Sequence, residues 1–150
     1  MVVDSLLQDI KYADLTNIKI QEAKGRFEIV NYYPIKIIDG ASNYEGVEIL
    51  LRNYENKYGH LNTDLFVGFK KGKDINNIFN LIIGKTNYNL HLIEDDTFFD
   101  QEITKEIGYL LDKHGKNYKI SSLEQFNRNK NPSILLGSLY LIGEYKKREL

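Results

Sequence analysis

The alternation of apolar and polar positions divides the chain into short β segments and longer helical stripes. Thr16 to Ala23 alternates with Ile18 and Ile20 on one face. Arg26 to Tyr33 alternates through Phe27 and Ile29, and Lys24-Gly25 between them is a turn signal, so the two segments read as a hairpin. Ile35 to Ile38 is a further short strand, set off by Pro34 and ended by Asp39-Gly40. Val47, Leu50, Leu51, Tyr54 and Tyr58 then recur at helical spacing behind the capping residue Asn43, and Gly59 closes that helix.

The pattern then starts again. Thr63 to Lys70 reads as a strand through Leu65, Val67 and Phe69, and Ile78 to Ile83 and Thr86 to Ile93 read as a hairpin across Gly84-Lys85. A second helix follows Asp96 or Thr97, with the stripe Phe99, Ile103, Ile107, Leu110, Leu111 and His114, ended by Gly115. Tyr118 and Ile120 suggest a short strand, and Ser121 and Glu124 have capping-box spacing for a short helix. Ser133 to Arg148 is apolar nearly all round as far as Ile142, which marks a buried element. Its length and the preceding Pro132 favour a helix. The expected fold is therefore α+β: a mainly antiparallel sheet of about five to seven strands, helices on one face, β-β-β-α twice, and a buried C-terminal helix. No linker or low-complexity break interrupts residues 1–150, which read as one globular domain.

Composition narrows the function classes. The 150 residues carry a net charge of −1 and no Cys. That removes a disulfide frame, a thiol nucleophile and Cys-ligated zinc, and offers no overall basic excess for nucleic acid. No apolar run approaches a membrane span, and the first residues lack a basic region followed by an apolar one, so neither a membrane segment nor a signal peptide is expected and the placement reads as cytoplasmic. Abundant Ile, Lys, Asn and Tyr with scarce Ala point to an AT-rich genome, that of a low-GC bacterium or its phage.

Catalytic motifs are missing. Gly68-Phe69-Lys70-Lys71-Gly72-Lys73 has the residues of a phosphate loop but neither its spacing nor its Ser/Thr, and reads as a lysine-rich turn. There is no Gly-x-Ser-x-Gly elbow. Seven residues separate Arg52 from His60, which excludes the HEPN ribonuclease signature, and Glu55-Asn56-Lys57 precedes Asp64, the wrong order for a PD-(D/E)xK nuclease. No cofactor, catalytic residue or metal site is assigned. His91 with Glu94, Asp95 and Asp96 is the one cluster that offers metal-ligand chemistry, and on it rests the alternative of a metal-dependent hydrolase or nuclease. The lysine turns at 70–73 and 113–119 carry a second alternative, nucleic-acid binding, which the overall charge does not favour.

The charge pattern leaves one surface feature. Glu94, Asp95, Asp96 and Asp100 form an acidic corner between strand and helix, and Tyr88 is one of several tyrosines that no stripe places. Acidic groups with a nearby Tyr suit the steered docking of a basic protein surface. In size, absence of Cys and absence of catalytic motifs the chain resembles bacterial toxin-immunity proteins and phage-encoded inhibitors of host defence, a resemblance of type that no family motif carries. It implies a non-enzymatic inhibitor whose partner is a toxin or a host-defence enzyme, met through Glu94, Asp95, Asp96, Asp100 and Tyr88.

Overall fold

The computed structural model describes residues 25–94 and 101–148. Their elements in chain order are β1 (Glu28–Tyr32), β2 (Ile35–Asp39), α1 (Tyr44–Tyr58), β3 (Thr63–Val67), α2 (Ile75–Ile83), β4 (Tyr88–Ile93), α3 (Gln101–Lys113), β5 (Tyr118–Ser121), α4 (Leu123–Arg128), β6 (Ser133–Leu136) and α5 (Leu139–Lys147). The class is α+β, with one six-stranded mixed sheet in the order β1-β2-β6-β3-β4-β5.

The strand directions differ from the expected antiparallel sheet. Only β1 and β2 pair antiparallel, Glu28 facing Ile38 and Tyr32 facing Ile35. The pairings β2–β6, β6–β3, β3–β4 and β4–β5 are all parallel. From β2 onward strand and helix alternate, because parallel neighbours need a crossover that a tight turn cannot supply. The β-β-β-α repeat dissolves accordingly. Ile78 to Ile83 belongs to α2, where Ile75, Ile78, Phe79 and Ile82 are buried at i, i+3, i+4 and i+7.

Helices cover both faces of the sheet instead of one. Residues from α1, α2 and α3 (Leu51, Phe79 and Ile107 among them) share a core with Ile37, Leu65, Leu90 and Ile134. On the other face Leu123 and Phe126 of α4 and Leu141 and Tyr145 of α5 pack on Ile38, Phe66, Ile93 and Leu135. The central strands are thus buried on both sides, and β2, β3 and β6 are buried along their whole length.

That double burial explains the largest difference from expectation. Ser133 to Leu136 is a central strand and the helix begins only at Leu139. A parallel strand with both faces covered has no polar alternation. Pro132 fits because its carbonyl, not an N–H, enters the ladder by accepting from Asp64 N at 2.9 Å. The capping box of α4 lies one residue later than the spacing suggests: Ser122 Oγ accepts from Gln125 N, and Gln125 Oε1 accepts from Ser122 N. The segment Thr16 to Ala23 and the start of the helix at Asp96 or Thr97 lie outside the described residues. Among the described residues no helix is long and apolar enough to cross a membrane.

Candidate functional site

The topology marks one end of the sheet. Strands β2 and β3 leave their carboxyl ends toward α1 and α2, on one face. Strand β6 lies between them and leaves toward α5, on the other. Connections that diverge from adjacent parallel strands open a crevice at the carboxyl ends, where ligands bind in sheets of this type. A cleft of about 470 Å³ occupies that place, lined by the loop after β2 (Asp39 to Asn43), by Lys70 and Lys73 after β3, and by Ser138, Leu139 and Tyr140 after β6. Its volume lies within the range of small-molecule sites.

Each wall has a local cause. At the end of β2, Asp39 is buried and its carboxylate braces two segments: Oδ1 accepts from Ala41 N at 2.8 Å and Oδ2 from Phe27 N at 3.0 Å. Burial raises its pKa, while those two amides and the nearby Arg26 pull it down. Asp39 is therefore spent on the loop. Asn43 caps α1, its Oδ1 accepting from Gly46 N at 2.8 Å. On the far wall Ser138 caps α5 by accepting from Tyr140 N at 3.1 Å.

Two glycines let these walls meet. A Cβ on Gly40 would lie 2.3 Å from Leu139 Cδ2 and 3.3 Å from Leu139 Cα, so the β2 loop rests directly on the start of α5. Gly137 has φ +128, and a Cβ there would lie 2.1 Å from the Gly68 carbonyl oxygen. The ends of β6 and β3 thus stay in backbone contact, and Gly68 N donates to Leu136 O.

Two helix N-termini, α1 and α5, border the same cleft, and each presents backbone N–H groups that its own helix leaves unpaired. Arg26, Lys70 and Lys73 add three cationic side chains. Lys70 Nζ sits 3.3 Å from the ring centroid of Tyr140. Tyr140, Leu139 and Ile49 are exposed apolar surface on the rim. The arrangement suits a ligand with an anionic end and a flat or apolar end.

Of the residues expected from the sequence to form a docking site, Tyr88 and Glu94 lie apart. Tyr88 opens β4 and Glu94 follows it, so about 20 Å of strand separates them. Tyr88 is 1% exposed, and its hydroxyl donates to Glu55 Oε2 at 2.8 Å. Burial and the Glu55 carboxylate hold its phenol above the usual range. Glu94 is exposed, while Asp95, Asp96 and Asp100 lie outside the described residues.

Of the expected metal cluster, Asp95 and Asp96 lie outside the described residues, and the His91 ring is engaged elsewhere. It stacks on Phe66 with centroids 4.2 Å apart, its Nδ1 hydrogen-bonds Ser121 Oγ at 2.8 Å, and its Nε2 stands 3.8 Å from Asp64 Oδ1. Among the described residues no three His, Cys, Asp or Glu could hold a metal ion.

Ser138 and Tyr140 escaped the sequence reading, and Lys70 was visible only as part of a lysine turn. Lys70 lay in the turn set aside for its wrong phosphate-loop spacing. Asn43 and Asp39-Gly40 were visible as a cap and a strand end, but nothing in sequence spacing showed that β6 would bring Ser138 beside them.

No family model and no curated protein sequence matches the chain. Solved structures do. Folylpolyglutamate synthase from Thermotoga maritima superposes with a TM-score of 0.68 at 23% identity, covering 82% of this chain and 30% of that one. The bifunctional folylpolyglutamate synthase/dihydrofolate synthase of Yersinia pestis, complexed with AMPPNP and Mn ion, gives 0.61 at 19% identity, covering 84% and 31%. Mycobacterium tuberculosis folylpolyglutamate synthase, complexed with ADP, gives 0.62 at 13% identity, covering 83% and 32%. The chain spans under a third of the length of these enzymes, and at such identities the likeness is one of fold.

This likeness overturns the expectation of a non-enzymatic inhibitor. The fold recurs within synthases solved with bound nucleotide, and nothing in the structure supports a toxin or host-defence enzyme as partner. The immunity, anti-defence and phage readings are corrected with it, as are the alternatives of a metal-dependent hydrolase and a nucleic-acid binder.

Proposed function

We propose that the chain is a nucleotide-binding unit of the kind found within ATP-dependent synthases, and that ADP or ATP binds in the crevice at the carboxyl ends of β2, β6 and β3. The observation that carries this reading is the convergence of two capped helix N-termini with Lys70 and Lys73 on one cleft. Backbone N–H groups at helix starts favour a negatively charged group, and lysines supply point charges for phosphates. The phosphates lie against the start of α1 and the lysine loop. The base lies toward Tyr140, Leu139 and Ile49, where apolar surface is already exposed. Asp39 holds the loop shape and does not contact the ligand.

The solved neighbours that contain ADP or AMPPNP support the same ligand class. The chain spans so little of those enzymes that nucleotide binding is assigned to it without a complete synthase reaction. A ligand of this kind agrees with the cytoplasmic placement expected from the sequence. Calorimetric titration with ADP and with ATP tests the reading: one saturable site is expected in the native chain, weakened about tenfold or more by Lys70→Ala.

A further inference from the structure

A second polar cleft, of about 610 Å³, lies at the opposite, amino end of β3 and β4, on the face that α4 and α5 leave uncovered beyond β3. At its floor is Asp64, 5% exposed. Asn129 and Asn131 donate to its Oδ2 at 2.9 and 3.1 Å, and Asn89 donates to its Oδ1 at 3.0 Å. A carboxylate offers about four lone-pair directions, so one remains, on Oδ1. His91 Nε2, 3.8 Å away, is too far to fill it. Among the described residues no Lys or Arg pairs with Asp64, although buried charges ordinarily find a partner.

The lining narrows the chemistry of a ligand. The three amides turn their nitrogens toward Asp64, and no described residue donates to their oxygens. The cleft therefore presents several acceptors close together, Asp64 Oδ1 and the amide oxygens of the asparagines. The sign of the ligand follows from the charges. A cation meets Lys116 and Lys119 at the rim, and an anion meets the Asp64 carboxylate at the floor.

We propose that this cleft binds a small neutral polyhydroxy ligand of the sugar type, whose vicinal hydroxyls donate to Asp64 Oδ1 and to the amide oxygens of Asn129 and Asn131. Lys119, beside His91 on the neighbouring strand, donates to a hydroxyl oxygen at the open side. The site is separate from the nucleotide crevice and does not rest on that assignment.

The test is a titration of the ¹⁵N-labelled full chain with glucose, galactose, mannose, N-acetylglucosamine, ribose and myo-inositol, following the side-chain amide signals of Asn89, Asn129 and Asn131. One of them is expected to shift these signals saturably, with a Kd of about 1 mM or tighter. Asp64→Asn is expected to abolish the response and the exposed Asn131→Ala to weaken it about tenfold. Should Asp64→Asn fail to fold, Asn131→Ala and Lys119→Ala decide alone. No saturable shift with any of the six, or a response unchanged in Asn131→Ala, overturns the proposal. Shifts confined to Lys70 and Tyr140 overturn it as well, and leave the nucleotide reading standing.

Discussion

Lys70 and Tyr140 close the mouth of the crevice from opposite sides: the ammonium from the loop after β3 lies 3.3 Å from the ring centroid of a tyrosine in the first turn of α5. The contact joins the two chain segments whose divergence creates the site. An ammonium over a half-exposed ring is worth about 0.5–1 kcal/mol, less than a charged hydrogen bond at about 1.5–3 kcal/mol. A phosphate therefore outcompetes the ring for Lys70. Tyr140→Ala is expected to change stability by under about 1 kcal/mol while weakening nucleotide binding several-fold through loss of the apolar platform. Denaturant unfolding and titration, run on the same variant, separate the two effects.

The backbone contact between the ends of β6 and β3 is expected to be the most sensitive point. Gly137→Ala puts a Cβ 2.1 Å from the Gly68 carbonyl at φ +128, where no flexible side chain can give way. The expected cost is above about 3 kcal/mol, since strain and overpacking add. Gly40→Ala meets mostly the movable end of Leu139 and is expected to cost less, about 1–2 kcal/mol. Urea unfolding of the two variants checks the order, and equal costs would contradict the account.

His91 provides the pH dependence. Burial holds its pKa below the ordinary 6.5, against the pull of the Asp64 carboxylate. The folded value lies below the unfolded one, so its contribution is complete above about pH 6.5 and is lost as pH falls through the folded pKa. Asp64 acts further down. The three asparagine amides outweigh its burial and depress its carboxyl pKa, so its contribution holds above about pH 4 and is lost as pH falls through the folded value. Stability is expected to fall first below about pH 6.5 and again below about pH 4. NMR titration of the imidazole signals is expected to place His91 below the ordinary histidine value, and a value above it would contradict this.

Tyr88 tests whether the tyrosine is structural. Its hydroxyl and Lys85 Nζ share the Glu55 carboxylate, each at 2.8 Å. Tyr88→Phe leaves one half-buried carboxylate oxygen short of a donor, and is expected to cost about 1–3 kcal/mol without altering nucleotide binding. A variant that kept full stability would show that the Glu55 contact carries no weight.

The two longest amphipathic helices were legible in sequence. The stripe Val47, Leu50, Leu51, Tyr54 is buried in α1, and Asn43 caps it as its position suggests. Ile103, Ile107 and Leu111 of α3 are likewise buried. The short apolar runs were not legible: two-sided burial erases the period in Ser133 to Leu136, and α2 is too short for its helical spacing to stand out. Ile78 to Ile83 and Ser133 to Leu136 look alike as strings, yet one is helix and the other a central strand. The direction of the sheet hung on that distinction, since β6 inserts between β2 and β3. The site hung on it in turn, because Ser138 and Tyr140 reach the crevice only once Ser133 to Leu136 is a strand. The acidic corner at Glu94 was conspicuous as charge, whereas the crevice gathers single residues from three distant loops.

The most direct test of the account is calorimetric titration of the native chain and of the paired variant Lys70→Ala/Lys73→Ala with ADP and ATP. One saturable site is expected in the native chain, with binding lost in the variant while its unfolding midpoint stays close to native. Absence of nucleotide binding, or binding that survives the loss of both lysines, would contradict it.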